Sequence, residues 1–342
     1  MATIVMADDG IAFDGAMAET GPLGGAETAF VALAEALAAR GHDVRVLNHC
    51  AAPLRHRGVA WARFDGGGPE SCDLYIANRG PRLLGRVPRP RRRLLWLHNP
   101  AGYLRKPHMA WPIARYRPLI VSTGIYHDST VPRWLLDGGR AVIPYGVLDR
   151  FRHAQARDVP PPRAIFTSNP LRGLGWLLDL WAARIRPAVP AAELHVYAGS
   201  AVYGGMTKHA REIEAVLTRA EMLGDAGVRR HAPVGHEQLV EVLTGARAML
   251  YRGDPGESFC LALAEAQALG VPAVVTPLGA VGERVADGVS GHVAMSDDDF
   301  VDAAIAVLRD DALWRRWHLG ALQAQRGLGW DEVAARYEAL IP

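Results

Sequence analysis

Short apolar runs alternate with amphipathic, Ala- and Leu-rich stretches along the chain, and that alternation restricts it to an α/β architecture. In the first half, 2–7, 43–49, 72–79, 92–99, 119–124 and 141–146 read as strands, with a helix over 27–41. In the second half, 163–168, 193–199, 247–253 and 272–277 read as strands, and 173–185, 237–246, 258–270 and 299–325 as helices. A chain of 342 residues divides into two domains of ordinary size. The natural linker is 147–163, where mixed charge meets the run Pro160-Pro161-Pro162. The pattern predicts two Rossmann-like, doubly wound domains facing a central cleft, with ligand at the C-terminal ends of strands.

The most informative local stretch is 252–270, RGDPGESFCLALAEAQALG. A Gly/Pro/Asp turn leads into Glu257-Ser258-Phe259 and then into an apolar helix carrying one acid, Glu265. A helix N-terminus offers unpaired N–H groups and a positive dipole end, which suits phosphate. An acid inside an apolar helix is costly unless something hydrogen-bonds it, so Glu265 is out of character for a bystander. Phosphate donors beside hydroxyl acceptors fit a sugar nucleotide.

Composition excludes several other classes. No run of apolar residues is long enough for a transmembrane helix, and the N-terminus lacks the basic start and apolar core of a secretory leader. Cys50, Cys72 and Cys260 stand in no metal-ligand spacing, which favours a reducing cytoplasm over disulfides or zinc. No G-x-G-x-x-G follows the first strand, which speaks against a dinucleotide dehydrogenase. The net charge of +2 hides an asymmetry: residues 1–150 carry 19 Arg/Lys against 13 Asp/Glu. Most of that excess lies in 79–117, with eleven basic residues and no acid. Such a stretch is either a solvated Arg-rich surface or a contact for an anionic membrane or an anionic, lipid-linked acceptor. No recognition helix or RNA-binding signature accompanies it, so nucleic acid is not a predicted partner.

Several segments in order resemble a known family. The Glu-(seven residues)-Glu element followed by 268–293 looks like the donor half of retaining GT-B glycosyltransferases of family 4 (group 1). The segments 234–253, 142–151 and 21–44 are similar to that family's lead into the donor loop, its interdomain signature and its N-terminal glycine loop. The resemblance implies a GT-B fold with an acceptor domain over 1–148 and a donor domain over 149–327. It also implies that the last helix, within 328–342, crosses back to the N-terminal domain. It further implies a metal-independent transfer of sugar from a nucleotide-diphosphate donor to a hydroxyl acceptor, with no cofactor, in a cytoplasmic protein that is soluble or peripheral on the inner membrane face.

The resemblance assigns Glu257 to the donor sugar's hydroxyls and Glu265 to the nucleotide ribose. The N–H groups of Ser258, Phe259 and Cys260 would face the sugar or diphosphate, although the family usually has Gly at position 260. Arg172 opens a helix and can reach a diphosphate with two parallel donors. The family's first basic residue, an Arg in the strand-end loop, is replaced by Ser168-Asn169, and Arg172 stands for its second, a Lys. Gly24 and Gly25 let backbone approach a ligand at a helix start. His98 ends a strand where the family places a His near the donor sugar, and Asn99 and Tyr103 are acceptor-contact candidates. Tyr145 reads as a hinge position, Glu283 as a helix cap, and Asp297-Asp298-Asp299 as helix N-terminal charge with no metal site. Two further readings remain open: a donor-binding partner protein without transfer, and a GT-B-shaped sugar-nucleotide epimerase.

Overall fold

The computed structural model describes residues 1–17, 23–199, 209–324 and 328–342, and the chain forms two compact units. One unit comprises 1–146 with 328–342, and the other 147–327.

The first unit contains β1 (Thr3–Ala7), α1 (Gly25–Ala39), β2 (Asp43–Asn48), β3 (Leu54–His56), β4 (Val59–Arg63) and β5 (Ser71–Asn78). β6 (Arg89–Trp96), α2 (Pro107–Tyr116), β7 (Leu119–Ser122) and β8 (Arg140–Val142) complete its main chain segment. The strands order as β3-β4-β2-β1-β5-β6-β7-β8, parallel except for the β3–β4 hairpin. Parallel strands covered on both faces need near-continuous apolar runs. Ile4 to Ala7, Leu74 to Ala77 and Leu94 to Leu97 supply them, all at most 1% exposed.

The second unit opens with α3 (Asp149–Arg152), then β9 (Arg163–Phe166), α4 (Leu174–Leu180), β10 (Glu193–Tyr197), α5 (Ala210–Met222) and β11 (Val228–His231). It continues with α6 (His236–Thr244), β12 (Ala248–Gly253), α7 (Leu261–Ala268), β13 (Ala273–Leu278), β14 (Gly291–Val293), α8 (Asp297–Arg309) and α9 (Asp311–Ala324). Its six parallel strands order as β11-β10-β9-β12-β13-β14. The chain then returns to the first unit as α10 (Trp330–Glu338). α10 packs on α1, with Arg40 reaching Asp331 at 2.9 Å and Glu338 at 2.6 Å, and Tyr337 buried against Trp96.

Three differences from the sequence reading have local causes. The segment predicted as a linker, 147–163, belongs to the second unit; it begins with α3, and Arg157 donates to the Leu269 carbonyl at 2.6 Å. The single helix predicted over 299–325 is two. Asp310 is extended, and its carboxylate accepts the Ala312 and Leu313 N–H groups, so it ends α8's chain direction and caps α9. The apolar period runs through the break, which hid it; Gln325 and the start of the glycine loop, Gly21-Pro22, lie outside the described residues. The strands β3, β4, β11 and β14 escaped prediction. They are three to five residues long and lie at or next to sheet edges, where Arg and His interrupt the apolar signal.

Both sheets reverse their strand order once. In the first unit the reversal lies between β1 and β5, in the second between β9 and β12. Connections leave such a point in opposite directions and open a crevice at the carboxyl ends of the strands. Asp8 and Asn78 mark that crevice in the first unit. Ser168 and the 254–260 loop mark it in the second.

Candidate functional site

In the second unit, the loop after β9 carries Ser168, Asn169 and Arg172, and the loop after β12 carries Glu257. Structure brings these together. Arg172 Nη1 lies 2.6 Å from Glu257 Oε1, and Tyr251, on β12, donates its hydroxyl to the same carboxylate. Tyr251 has one proton and gives it to Glu257, so Ser168 Oγ, 3.1 Å away, is the donor to Tyr251. Burial works against the Arg172 charge, but the Glu257 carboxylate outweighs it and raises the guanidinium pKa. Burial also pushes the Tyr251 phenol well above its ordinary value, with Glu257 adding to it. One Arg172 nitrogen is committed, and the planar fork has further N–H donors to offer a ligand.

The loops owe their shape to short-range bonds. Asn169 accepts the Leu171 N–H at 3.0 Å, a local turn that aims Arg172 across to Glu257. Glu257 donates its N–H to Asp254 and accepts the Ala280 N–H at 3.0 Å. The Gly279 backbone is left-handed, φ +64°, and a Cβ there would sit 2.3 Å from the Asp254 carbonyl. Only glycine lets the β13 loop come this close and hold Glu257. Cys260 precedes α7 with φ +68°, a left-handed conformation that costs a residue bearing a Cβ about 1–2 kcal/mol. Ser258, Phe259 and Cys260 are buried, and Arg284 lies over the Phe259 ring at 4.4 Å.

Glu265 sits on the second turn of α7, 4% exposed. Among the described residues its Oε1 has no hydrogen-bond partner. Burial pushes its carboxyl up to about 8, and the Arg150 charge from α3 only partly counters this. A buried carboxyl without a donor is a destabilising element that persists where a ligand satisfies it.

The crevice of the first unit is built differently. Asp8, at the end of β1, accepts the Gly10 N–H at 2.8 Å and the Asn78 amide at 2.5 Å. Asn78 thereby spends its amide nitrogen and presents Oδ1, so His98 donates to it from Nε2. Burial holds His98 far below the ordinary imidazole value, with the Arg79 charge acting the same way, so the ring is neutral and Nδ1 accepts the Tyr145 hydroxyl. Arg79 pairs with Glu27 at 2.5 Å and with Asp8 at 3.4 Å. Gly24 is the N-cap of α1; a Cβ there would lie 2.4 Å from Glu27 Oε2, so glycine gives this carboxylate room. Gly25 is the first residue of α1. Tyr103 donates to the Arg79 carbonyl at 2.8 Å, while Asn99 is exposed and its carbonyl accepts from His127.

The structure therefore gathers Glu257, Arg172 and Ser168 around Tyr251, places Glu265 on the second turn of α7, which follows the Glu257 loop, and sets His98, Gly24 and Tyr103 in the polar cluster of the other unit. Tyr251, Asp8, Asn78, Arg79 and Glu27 were not singled out from sequence. A Tyr in the strand run MLYRG looks like core, and Asp8-Asp9 and Arg79 look like ordinary strand-end charge. The signal that finds them is position at the reversal of strand order, which needs the topology. Glu283 lies in a short 3-10 turn, with its carboxylate 3.6 Å from Arg284. Asp297 to Asp299 form the first turn of α8 behind the Ser296 cap. Among the described residues no three His, Cys, Asp or Glu side chains group as metal ligands, and no helix is long and apolar enough to cross a membrane.

Known proteins match this chain in two ways. A family model described as "Glycosyl transferases group 1" matches residues 162–310, all in the second unit. The D-inositol 3-phosphate glycosyltransferase of Streptomyces avermitilis is 32% identical over 243 residues, covering 64% of this chain and 50% of that protein. The chain thus spans about half the length of the curated relatives it matches. Among solved structures, sucrose-phosphate synthase from Thermosynechococcus elongatus aligns over 99% of this chain and 98% of its own, with a TM-score of 0.76 at 17% identity. Anabaena HepE, solved in complex with UDP-glucose, aligns over 99% of both chains with a TM-score of 0.71 at 15% identity. The chain is a GT-B-fold relative of the group 1 glycosyl transferases.

Proposed function

We propose that the protein is a glycosyltransferase whose second unit binds a nucleotide-diphosphate sugar and whose first unit receives a hydroxyl acceptor. The observation that carries this reading is the presence of two unlike acids, one in the loop before α7 and one on α7. Glu257 is held by Arg172 and Tyr251, while Glu265, eight positions on, is buried and its Oε1 lacks a donor among the described residues. Ribose hydroxyls supply the missing donor at Glu265, and sugar hydroxyls reach the fixed Glu257 carboxylate. Arg172 and the start of α7 meet the diphosphate, without a metal. His98 serves the acceptor side as a neutral, fixed ring.

In this reading the acceptor hydroxyl bonds to the anomeric carbon as the bond to the diphosphate oxygen breaks, and the hydroxyl proton passes to a leaving phosphate oxygen. Attack on the face that the diphosphate leaves retains the anomeric configuration; that stereochemistry rests on the family resemblance alone. Stabilising the departing charge with fixed donors is the main catalytic contribution. The basic stretch 79–117 supports an anionic, lipid-linked acceptor or an anionic membrane contact. Several of its arginines are exposed, and Trp111 is 63% exposed beside them.

The test is a thermal-shift and calorimetric screen against UDP, GDP, ADP and TDP, with Glu265→Gln in parallel. One nucleotide should stabilise the wild type by mass action, and the variant should respond weakly. Absence of any nucleotide response, or equal responses in both proteins, removes the assignment. Binding without transfer or hydrolysis across an acceptor panel would favour a non-catalytic donor-binding protein.

A further inference from the structure

A second polar site lies on the sheet of the second unit, at the other end of β9 from Ser168. Arg163 opens β9, and the paired positions Arg163–Glu193, Ile165–His195 and Tyr197–His231 share one sheet face. The opposite face is apolar and fully buried at Ala164, Phe166, Leu194 and Val196. On the polar face a cavity of about 230 Å³ is lined by Arg163, Ile165, His195, Tyr197, Glu241 and Val242.

The charges around it do not close. Glu193 is committed to His195 Nε2 at 3.1 Å and to Arg229 at 3.2 Å. His195 donates from Nε2, so its Nδ1 accepts from His231 Nε2 at 3.0 Å. Tyr197 stacks on His231, with ring centroids 4.3 Å apart and 11° between planes, and His231 stacks on His195. These groups satisfy one another. Arg163 is left over: among the described residues it makes no ion pair within 4.0 Å, and its Nε is buried without a hydrogen-bond partner. Its Nη1 would lie 3.3 Å from a Cβ at Gly245, at the C-terminal end of α6. The helix dipole there favours a cation, but it leaves Nε without an acceptor.

We propose that this cavity binds a small phosphate-bearing polyol, a sugar phosphate or a compound of that class, separately from the nucleotide site. The half-buried guanidinium takes the anion through parallel N–H donors. The stacked rings form a flat wall for a sugar face, and the exposed Glu241 carboxylate accepts hydroxyls from the rim. The cavity is smaller than the roughly 300–1,000 Å³ of drug-sized pockets, which limits the occupant to a single sugar unit.

Glucose 6-phosphate, inorganic phosphate and glucose are the probes, titrated calorimetrically into the full chain with and without saturating UDP. Glucose 6-phosphate should bind, glucose should not, and phosphate should bind about tenfold more weakly than the sugar phosphate because it lacks the hydroxyl contacts. Arg163→Gln should lose the glucose 6-phosphate signal while keeping the UDP response. Because a change on β9 risks the fold, Glu241→Gln on the exposed helix face provides the second arm. It should weaken glucose 6-phosphate and leave phosphate unchanged. Displacement by UDP, binding that survives Arg163→Gln, phosphate as tight as the sugar phosphate, or no binding at all would each overturn the proposal.

Discussion

The two crevices differ in how their buried polar groups are satisfied, although the same topological device makes both. In the first unit Asp8, Asn78, Arg79, Glu27, His98 and Tyr145 answer one another through hydrogen bonds and ion pairs, with Arg79 Nε facing Asp8 at 3.4 Å without a hydrogen bond among the described residues. In the second, Glu257, Arg172, Tyr251 and Ser168 close a similar cluster, but Glu265 remains outside it with an unpartnered oxygen. A satisfied network rigidifies its surroundings. An unsatisfied buried carboxyl weakens the empty protein and marks where a ligand gives the stability back. The difference separates a preformed crevice from one that a ligand completes more sharply than residue type does, since both crevices contain the same kinds of side chain.

The comparison breaks first on activity. Arg172→Ala should lower sugar transfer by about 10²–10³-fold, the size seen when a fixed donor to developing charge is removed. Kinetics with the nucleotide sugar identified by the screen would check this. Transfer near wild type would mean that Arg172 does not meet the departing diphosphate.

A change in the first crevice should act mainly on stability. Asp8→Ala leaves the Asn78 amide without its acceptor and Arg79 with one carboxylate, and should cost about 3 kcal/mol in urea unfolding. Nucleotide affinity measured on the remaining folded protein should stay within about twofold, because the nucleotide's contacts are assigned to residues of the second unit. A large affinity loss with little loss of stability would reverse the roles given to the two clusters.

The pH dependence sharpens the contrast. Glu265 has a folded pKa of about 8 against an ordinary value of 4.5. A carboxyl raised in this way contributes stability that is complete below about pH 4.5 and is lost as pH rises toward 8. Wild type should therefore lose stability relative to Glu265→Gln across that window, by at most about 1.4 kcal/mol per pH unit. Parallel melting curves for the two proteins would show that Glu265 has a partner after all.

The smallest effect is expected at Cys260. Replacing it with Gly removes left-handed strain but also a buried thiol, and the two terms nearly cancel, so unfolding free energy should change by less than about 1 kcal/mol. A larger gain would mean that strain dominates. A larger loss would mean that thiol packing sets the start of α7.

Much of the donor-side cluster was legible because its residues are chemically odd where they stand. An acid in LALAEAQALG and a Glu closing a Gly/Pro turn announce themselves against their neighbours. Tyr251 and Asn78 do not: a Tyr within a strand or an Asn ending one has an ordinary local role, and the partners Ser168, Asp8 and His98 follow other strands. The break at Asp310 was equally silent, because hydrophobic period survives a capped helix junction.

The sequence by itself determined the α/β class, the order of most strands and helices, and the acids worth watching, because periodicity and local chemical surprise depend on neighbours in the chain. Tertiary structure alone decided at which of the two strand-order reversals every buried carboxylate finds a partner. It also paired Arg172 with Glu257 through a loop held by Gly279, and among the described residues left Arg163 Nε and Glu265 Oε1 without a hydrogen-bond partner. Hydrogen-bond satisfaction is a property of space, and residues eighty positions apart settle it only when the sheet sets them side by side.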